Sequence, residues 1–157
     1  MARPQPGDMA PDFTLPSDNN ATISLSSMKG KAVVLYFYPK DDTSGCTREA
    51  LDFSQLKPEF DGIDTMVIGV SPDSVEKHAK FRKKHGLLVE LAADEDKAIL
   101  ESFGVWVEKS MYGRKYMGVE RTTFLIDAEG RIAQVWNKVK VAGHAQAVLE
   151  SARALQS

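Results

Sequence analysis

The chain has 157 residues, of which 43% are hydrophobic and 27% charged, a balance typical of one globular domain spanning residues 1–157. Its formal net charge of -2 offers no bulk attraction to nucleic acid or anionic lipid, and no apolar run approaches the roughly 20 residues of a membrane span. The N-terminus lacks the apolar segment of a secretory signal, which favours a cytoplasmic protein.

The first half of the chain predicts a strand–helix–strand unit after an irregular start. Prolines punctuate the first part, where only residues 12–15 and 22–25 favour an extended chain. Residues 31–38 are almost continuously apolar and rich in β-branched and aromatic side chains, which predicts a central strand, and residues 66–71 form a second such run. Between the two runs, apolar side chains recur at helical spacing: Cys46, Ala50, Phe53, Leu56 and Phe60. This helix should bend or end near Pro58, and the two strands should be parallel.

The second half predicts further helices and an antiparallel hairpin around the same sheet. Helices are expected at residues 74–85, 94–103 and 144–155, a short strand at 89–92, and hairpin strands at 122–127 and 131–136. Residues 102–118 contain several polar breaks and are expected to form an irregular loop. Parallel strands, a later antiparallel hairpin and helices on both faces predict a three-layer α/β/α sandwich, a thioredoxin-like fold with a mixed central sheet.

Several polar and aromatic side chains favour structural over functional interpretations. His78 and His85 lie seven residues apart without carboxylates close in sequence, so both are expected on a helix surface and not at a metal. The lysines of the same helix are expected to form a solvated face and not a nucleic-acid patch. A group of large side chains could rim a binding or dimer surface, but packing in core and loops is the preferred interpretation: Trp106, Met111, Tyr112, Tyr116 and Met117.

Cys46 is the only cysteine, which excludes a disulfide framework and a multi-cysteine metal site. Pro39 ends the first long strand, Thr43 is suited to cap the following helix, and Cys46 then falls in its first turn. The thiol would lie near unpaired backbone N–H groups, beyond the carboxyl end of a central parallel strand. A thiol there is a candidate nucleophile, although a lone cysteine can also be a small buried hydrophobe.

The residues around this thiol resemble the active-site motif of peroxiredoxins, thiol peroxidases with a thioredoxin-like fold. Pro39, Thr43 and Cys46 fit the Pro-x-x-x-Thr-x-x-Cys signature. The sequence of residues 37–47 is similar to that of the branch named after bacterioferritin comigratory protein (BCP) or PrxQ, although Ser44 stands where that branch usually has proline. That departure loosens the turn before the cysteine without removing a reacting group.

The similarity extends over roughly the whole chain. Residues 4–15 resemble the entry segment of the family, and residues 119–127 resemble the strand that carries the family's active-site arginine, here Arg121. Glu49, three residues after the cysteine, would orient an arginine, while Arg48 beside it is consistent with a charge that faces solvent.

The resemblance implies a role for each matching residue. Cys46 would be the peroxidatic cysteine, Thr43 would hydrogen-bond the peroxide, and Pro39 would shield the pocket from water. Arg121 would hold the thiolate and the polarised peroxide. Full ionisation of an ordinary thiol at neutral pH requires about 3 kcal/mol, whereas a helix end supplies about 0.3–1 kcal/mol, or about 2 kcal/mol when partly buried, so the remainder suggests a nearby cation such as Arg121. The resemblance requires no metal and no organic cofactor.

Two further departures concern the second, resolving cysteine of other branch members. Leu51 stands five residues after Cys46, and Arg82 occupies the corresponding region of the second helix. The chain therefore resembles a one-cysteine member that depends on an external thiol: thioredoxin, glutaredoxin or a low-molecular-weight thiol.

The expected function is a monomeric thiol-dependent peroxidase acting on hydrogen peroxide and organic hydroperoxides. Two alternatives from other classes remain at this point. A peroxide sensor or relay would form the same sulfenic acid and pass the oxidation to a partner protein. A thioredoxin-fold binding module would only pack Cys46 in its core.

Overall fold

A five-stranded mixed sheet forms the centre of the molecule. The structure, a computed structural model, describes residues 3–19 and 21–156. The strands in this part are β1 (Thr14–Pro16), β2 (Thr22–Ser24), β3 (Ala32–Phe37), β4 (Thr65–Ser71), β5 (Glu90–Ala93), β6 (Trp106–Met111), β7 (Arg114–Val119), β8 (Thr122–Ile126) and β9 (Ile132–Trp136). The helices are α1 (Ser44–Gly62), α2 (Val75–His85), α3 (Ala98–Ser102) and α4 (His144–Gln156). The sheet order is β5-β4-β3-β8-β9, with β3, β4 and β5 parallel and β8 and β9 antiparallel to their neighbours.

The predicted strand–helix–strand unit and the thioredoxin-like fold class are confirmed, with β3 at the centre of the sheet. Successive β3 side chains point to opposite faces, as the period of a strand requires. Val34 and Tyr36 belong to the core formed with α1, α2 and α4. Val33 and Leu35 belong to a second core, covered by the β1–β2 hairpin, α3 and the segments that flank the β6–β7 hairpin. The sheet is therefore covered on both faces.

Helix α1 passes through Pro58 and continues to Gly62, so of the two predicted effects of that proline, a bend or an end, the end is wrong. A proline inside a helix removes one backbone hydrogen bond. Phe53 and Phe60 lie on either side of it in sequence, and both are completely buried. Burial of these two rings holds both halves of the helix against the sheet, which offsets the lost hydrogen bond.

Helix α2 presents its lysines to solvent, as predicted, but its two histidines are placed differently. Ser74 caps the helix by accepting a hydrogen bond of 3.2 Å from the Lys77 amide, and Gly86 ends it with a left-handed backbone (φ 64°). His78 is completely buried, so its expected place on the helix surface is wrong. His85 is partly exposed and contacts Asp42 at 2.8 Å. No helix among the described residues has the length and apolar character needed to cross a membrane.

Residues 102–118 are not an irregular loop, because β6 and β7 form a regular antiparallel hairpin there. The turn consists of Tyr112 and Gly113, both with positive φ (52° and 78°), which suits the twist of a two-residue hairpin loop. Met111 and Tyr112 are 56% and 97% exposed, and Tyr116 and Met117 are also exposed. The preferred packing interpretation is therefore wrong for these four side chains. Alternation of polar and apolar residues is weak here because much of the hairpin faces solvent.

The segment expected as a helix at residues 94–103 contains only the short α3. Its preceding turn is held by Asp94, whose carboxylate accepts a hydrogen bond of 2.8 Å from the Leu100 amide. The carboxylate thus satisfies an amide in the first turn of α3 from outside the helix, as a capping residue does.

His144, the first residue of α4, is buried between α1 and the sheet. Its Nε2 lies 2.8 Å from the hydroxyl oxygen of Thr123 on β8, and its ring packs edge-on against Phe53 and Trp136. Burial, together with a smaller effect of the positive charge of Arg121, lowers the pKa of His144 from 6.5 to about 4. The imidazole is therefore neutral at neutral pH.

This depressed pKa predicts loss of stability in acid. The unfolded chain binds the His144 proton more readily than the folded chain. The contribution of the neutral imidazole to the free energy of unfolding is therefore fully present above about pH 6.5 and declines as the pH falls toward 4. His144→Gln should reduce the difference in unfolding free energy between about pH 7 and about pH 4.5 by roughly 2 kcal/mol. Urea unfolding of both proteins at the two pH values measures this difference. An equal acid dependence in both would contradict the assignment.

Candidate active site

The loop between β3 and α1 places Cys46 in the first turn of a helix. Thr43 is the N-cap residue, with an extended backbone (φ -86°, ψ 156°). The Thr47 amide donates to the Thr43 carbonyl at 2.8 Å, so the Cys46 amide lies among the N–H groups that precede the first helical hydrogen bond. These N–H groups and the helix dipole favour negative charge nearby.

Thr43 directs its hydroxyl toward the loop and not toward the helix. Its Oγ1 donates to the Lys40 carbonyl at 2.9 Å, and the side chain makes no capping hydrogen bond to α1. The residue is exposed, and Pro39 at the start of the loop is half-buried. The N-cap position is as predicted, but the hydroxyl proton is already used. Its oxygen can still accept a hydrogen bond from a ligand.

A buried hydrogen-bond network anchors this loop to the sheet and to α2. The Asp41 amide donates to Asp73 Oδ2 at 2.8 Å, and the Tyr38 hydroxyl donates to Asp41 Oδ1 at 2.6 Å. Asp41 Oδ2 lies 2.6 Å from His78 Nδ1, while His78 Nε2 donates to the Ala92 carbonyl at 3.0 Å. The network fixes the path of the backbone immediately before the N-cap of α1.

Three side chains of this network, Asp41, Asp73 and His78, are of types that can bind a metal ion. The ligand atoms of Asp41, Asp73 and His78 lie within 4.8 Å of one another. Each side chain already takes part in the protein's own hydrogen bonds, so the cluster is explained as an anchor for the loop. Sequence reasoning missed it because Asp41 and His78 are 37 residues apart. A histidine on the apolar face of α2 was the one available signal.

Arg121 brings a positive charge to the sulfur. It directly precedes β8, and its carbonyl accepts a hydrogen bond of 2.9 Å from the Val139 amide. Its Nη2 donates to Cys46 Sγ at 3.2 Å, and its Nη1 donates to Glu49 Oε1 at 2.7 Å. A Cβ atom on Gly45 would lie 3.4 Å from Nη2, so the glycine leaves room for the guanidinium. One cation thus contacts two acidic groups of α1.

Glu49 is a buried carboxyl group one turn after the cysteine. Its side chain is 1% exposed, and Oε2 has no hydrogen-bond partner among the described residues. Burial raises the pKa of Glu49 to about 7, against the opposing effect of the Arg121 guanidinium. Arg48 beside it is exposed and lies 3.8 Å from Asp52, so the arginine that Glu49 contacts is Arg121.

The contact with a guanidinium distinguishes Cys46 from a cysteine that is only packed. The residue is 1% exposed and belongs to the core, which by itself fits the packed alternative. The guanidinium already pairs with Glu49, and a neutral thiol would be only a weak acceptor for its second N–H group. A thiolate makes a charge-assisted hydrogen bond with the same guanidinium. The 3.2 Å contact with Arg121 therefore fits a reacting cysteine better than one that is only packed.

The two positions considered for a second cysteine carry residues with no thiol chemistry. Leu51 is 40% exposed on α1. Arg82 donates to the Asp18 carboxylate and to the carbonyls of Leu87 (2.7 Å) and Val89 (2.6 Å). The Asp18 side chain is 2% exposed. Arg82 therefore fastens the end of α2 to the segments on either side.

The structure brings only part of the sequence-predicted site into direct contact. Arg121 and Cys46 meet, and Glu49 joins them through the guanidinium. Thr43 and Pro39 lie on the loop that leads to the cysteine, and no hydrogen bond joins them to the sulfur among the described residues.

Comparison with known proteins shows the family to which the chain belongs. The sequence model of the AhpC/TSA family matches residues 6–135, and the chain belongs to that family. Within it, the chain is a peroxiredoxin of the Bcp/PrxQ branch that has one cysteine. It is 50% identical over 145 residues to Peroxiredoxin Bcp of Bacillus subtilis, which covers 92% of each chain.

Solved structures give the same result for the fold. A structure of Xanthomonas campestris bacterioferritin comigratory protein, from work on its alkyl peroxide reduction activity, matches with a TM-score of 0.90 and 42% identity over 99% of each chain. A cysteine-to-serine mutant of Xylella fastidiosa PrxQ matches with a TM-score of 0.92 and 39% identity over 98% of each chain.

The geometry predicts that Arg121 affects both thiol ionisation and the reaction that follows. Arg121→Met should move thiolate formation to higher pH and slow peroxide attack about 10- to 100-fold even where the thiol is fully ionised, since a charge-assisted hydrogen bond contributes about 1.5–3 kcal/mol. Stopped-flow measurements against pH separate the two effects. Arg121→Lys keeps the positive charge but loses the bidentate fork of the guanidinium. Its rate of peroxide attack should therefore lie between those of the wild-type protein and Arg121→Met.

Arg48→Met is the matched control, because it removes an exposed arginine from the same end of α1. It should leave both the pH dependence and the limiting rate unchanged. Equal losses in the Arg48 and Arg121 variants would contradict a specific role for the guanidinium at the sulfur.

Proposed function

We propose that the chain is a thiol-dependent peroxidase that reduces hydrogen peroxide and small organic hydroperoxides at Cys46, within a single domain. The observation that carries the proposal is the 3.2 Å contact between Arg121 Nη2 and the buried sulfur at the start of α1. The alkyl peroxide reduction named for the Xanthomonas campestris relative supports organic hydroperoxides as substrates.

The first half-reaction transfers one oxygen atom to sulfur. The Cys46 thiolate attacks the terminal peroxide oxygen, an S–O bond forms and the O–O bond breaks. Sulfur loses two electrons and becomes a sulfenic acid, while the departing alkoxide or hydroxide takes a proton to give an alcohol or water. Negative charge therefore moves from sulfur to the leaving oxygen, where hydrogen-bond donors stabilise it.

Arg121 and the Cys46 amide are the donors proposed for this charge, because both lie at the sulfur. Thr43 is proposed in a different capacity. Its hydroxyl proton is committed to the Lys40 carbonyl, so Oγ1 would accept the O–H of the peroxide and fix the orientation of the incoming oxygen. Pro39, half-buried at the start of the loop, would limit water near the thiolate.

The second half-reaction needs an external thiol, because the chain has one cysteine. A reductant thiol attacks the sulfenic sulfur, releasing water and forming a mixed disulfide, and a second thiol then releases Cys46. Thioredoxin, glutaredoxin and low-molecular-weight thiols can all perform this chemistry. We propose that the protein acts in the cytoplasm, because thiols are kept reduced there, and that it is a monomer, as its resemblance to the PrxQ branch implies. A relay to a partner protein is not favoured, since the relatives are named peroxiredoxins.

The proposed function predicts that turnover depends on Cys46 and on an added reductant. Peroxide consumption with thioredoxin, glutaredoxin and small thiols in turn should show steady-state turnover with at least one. Cys46→Ser should abolish it while preserving the far-ultraviolet circular dichroism spectrum, because the change is nearly isosteric. A substantial rate in the serine variant would refute the assignment. A single stoichiometric oxidation with every reductant would instead indicate the relay.

The oxidised form is predicted to remain a monomer with a folded helix α1. Residues five apart on a helix have Cα atoms too far apart for the roughly 7 Å limit of a disulfide, so branch members with two cysteines must unwind this helix. Because this chain has Leu51 in that position, no intramolecular disulfide can form there to stabilise an unwound helix. One equivalent of peroxide should add one oxygen by intact mass, and a small thiol should convert it to a mixed disulfide. Rapid quantitative formation of a Cys46–Cys46 dimer before thiol is added would contradict this.

A further inference from the structure

Two acidic groups of α1 depend on one cation. Arg121 donates to Cys46 Sγ at 3.2 Å through Nη2 and to Glu49 Oε1 at 2.7 Å through Nη1. Among the described residues, no other cationic side chain is in hydrogen-bond contact with either group. Both acidic side chains are 1% exposed, so water does little to stabilise their charges.

The remaining titratable groups around this cluster do not add positive charge. Tyr36 on β3 is buried, and burial raises its pKa well above 10, so it is neutral. His144 on α4 has its pKa lowered by burial to about 4, so it is neutral at neutral pH. Asp52, one turn along α1, adds a negative charge that makes a smaller contribution to the raised pKa of Glu49. In the part of the chain that the structure describes, Arg121 is the one cation in contact with the cluster.

The net charge of the cluster therefore depends on its protons. With both groups ionised, a buried site carries two negative charges against one positive charge. With one proton present the site is neutral, whichever of the two groups carries it. Because a net charge in a dry environment is costly, the neutral form is favoured over a wide pH range. Groups that interact this strongly titrate as a pair.

We propose that Cys46 and Glu49 share a single proton at neutral pH, so that Glu49 takes up the proton which the thiol gives up. The step is balanced: a thiol and a carboxylate become a thiolate and a carboxylic acid, with no change in the net charge of the site. Glu49 reaches the sulfur only through the guanidinium that contacts both, so it is a positioning residue. The inference rests on Cys46 being the reacting thiol of the proposed function.

Oxidation of Cys46 then changes which acidic group the Arg121 guanidinium stabilises. The thiolate carries a negative charge, whereas the sulfenic acid that replaces it is neutral. Once the sulfenic acid has formed, the guanidinium is free to pair with an ionised Glu49, which releases the shared proton. One proton is also what the departing alkoxide requires, so the full half-reaction leaves no net charge in the buried site.

The test is the ionisation of the reduced protein, measured without peroxide. In Glu49→Gln the amide oxygen can still accept from Arg121 Nη1, but the competing charge is gone. The pH at which half of the thiol is ionised, followed by thiolate ultraviolet absorbance, should fall by about one unit or more. Circular dichroism checks that the variant is folded. An unchanged or higher midpoint would overturn the proposal and leave Glu49 as an orienting acceptor only.

Infrared spectroscopy provides an independent readout on the carboxyl group. The wild-type protein should show a carboxylic acid C=O band at neutral pH that is absent in Glu49→Gln. In Cys46→Ser the competing thiolate is removed, so Glu49 should ionise and the band should disappear. A band that persists unchanged in the serine variant would show that the two groups do not share a proton.

Asp52→Asn is the matched control, because Asp52 is an acidic residue of the same helix that is 34% exposed and does not contact Arg121. It should move the thiol midpoint much less than Glu49→Gln. Equal shifts would mean that any nearby negative charge acts alike, which would contradict the shared proton. Failure of peroxide turnover would count against the proposed function and leave these titrations unaffected.

Discussion

The Arg121 guanidinium neutralises charge at a point where the fold has excluded water. Cys46 and Glu49 are three residues apart, so α1 presents both on neighbouring turns of one face. Arg121 reaches them from the start of β8, the strand that pairs with β3. The two ends of the site thus come from elements joined through the central strand. A shift of β8 relative to β3 would separate the cation from the sulfur.

The loop before α1 is held as firmly as the arginine, but by different means. Asp41 connects it to Asp73 beyond the end of β4 and to His78 in α2. These bonds are buried, where hydrogen bonds are strong and costly to leave unmade. The loop therefore begins from a fixed point on one side of the cysteine, and Arg121 fixes the other side. Such preorganisation lets donors stabilise developing charge without first rearranging.

Local pattern in the sequence was sufficient for the elements that define the fold. The apolar run of β3 and the helical stripe of α1 each depend on side chains within a few residues, and both were placed correctly. His78 was misplaced because its partners, Asp41 and the Ala92 carbonyl, come from distant parts of the chain. The β6–β7 hairpin was missed because its exposed faces give no alternating pattern.

The active site likewise has features that follow from local sequence and features that depend on distant residues. The position of Cys46 at a helix start follows from the proline before it and the cap residue. Arg121 could be named only from the resemblance to a family, since nothing in its local sequence points toward a cysteine 75 residues earlier. The burial of Glu49 depends on α1, β3 and Arg121 together, and no short-range pattern encodes it.

Arg82 has a consequence for how this chain can evolve. It saturates the Asp18 carboxylate and two backbone carbonyls around the end of α2. A single mutation to cysteine would supply a second thiol but leave a carboxylate that is 2% exposed without its cation, at a cost of about 3–5 kcal/mol. That is a large share of the stability of a domain this size. A second cysteine in α2 therefore requires a destabilised intermediate unless Asp18 changes first, whereas the exposed position of Leu51 on α1 carries no such constraint.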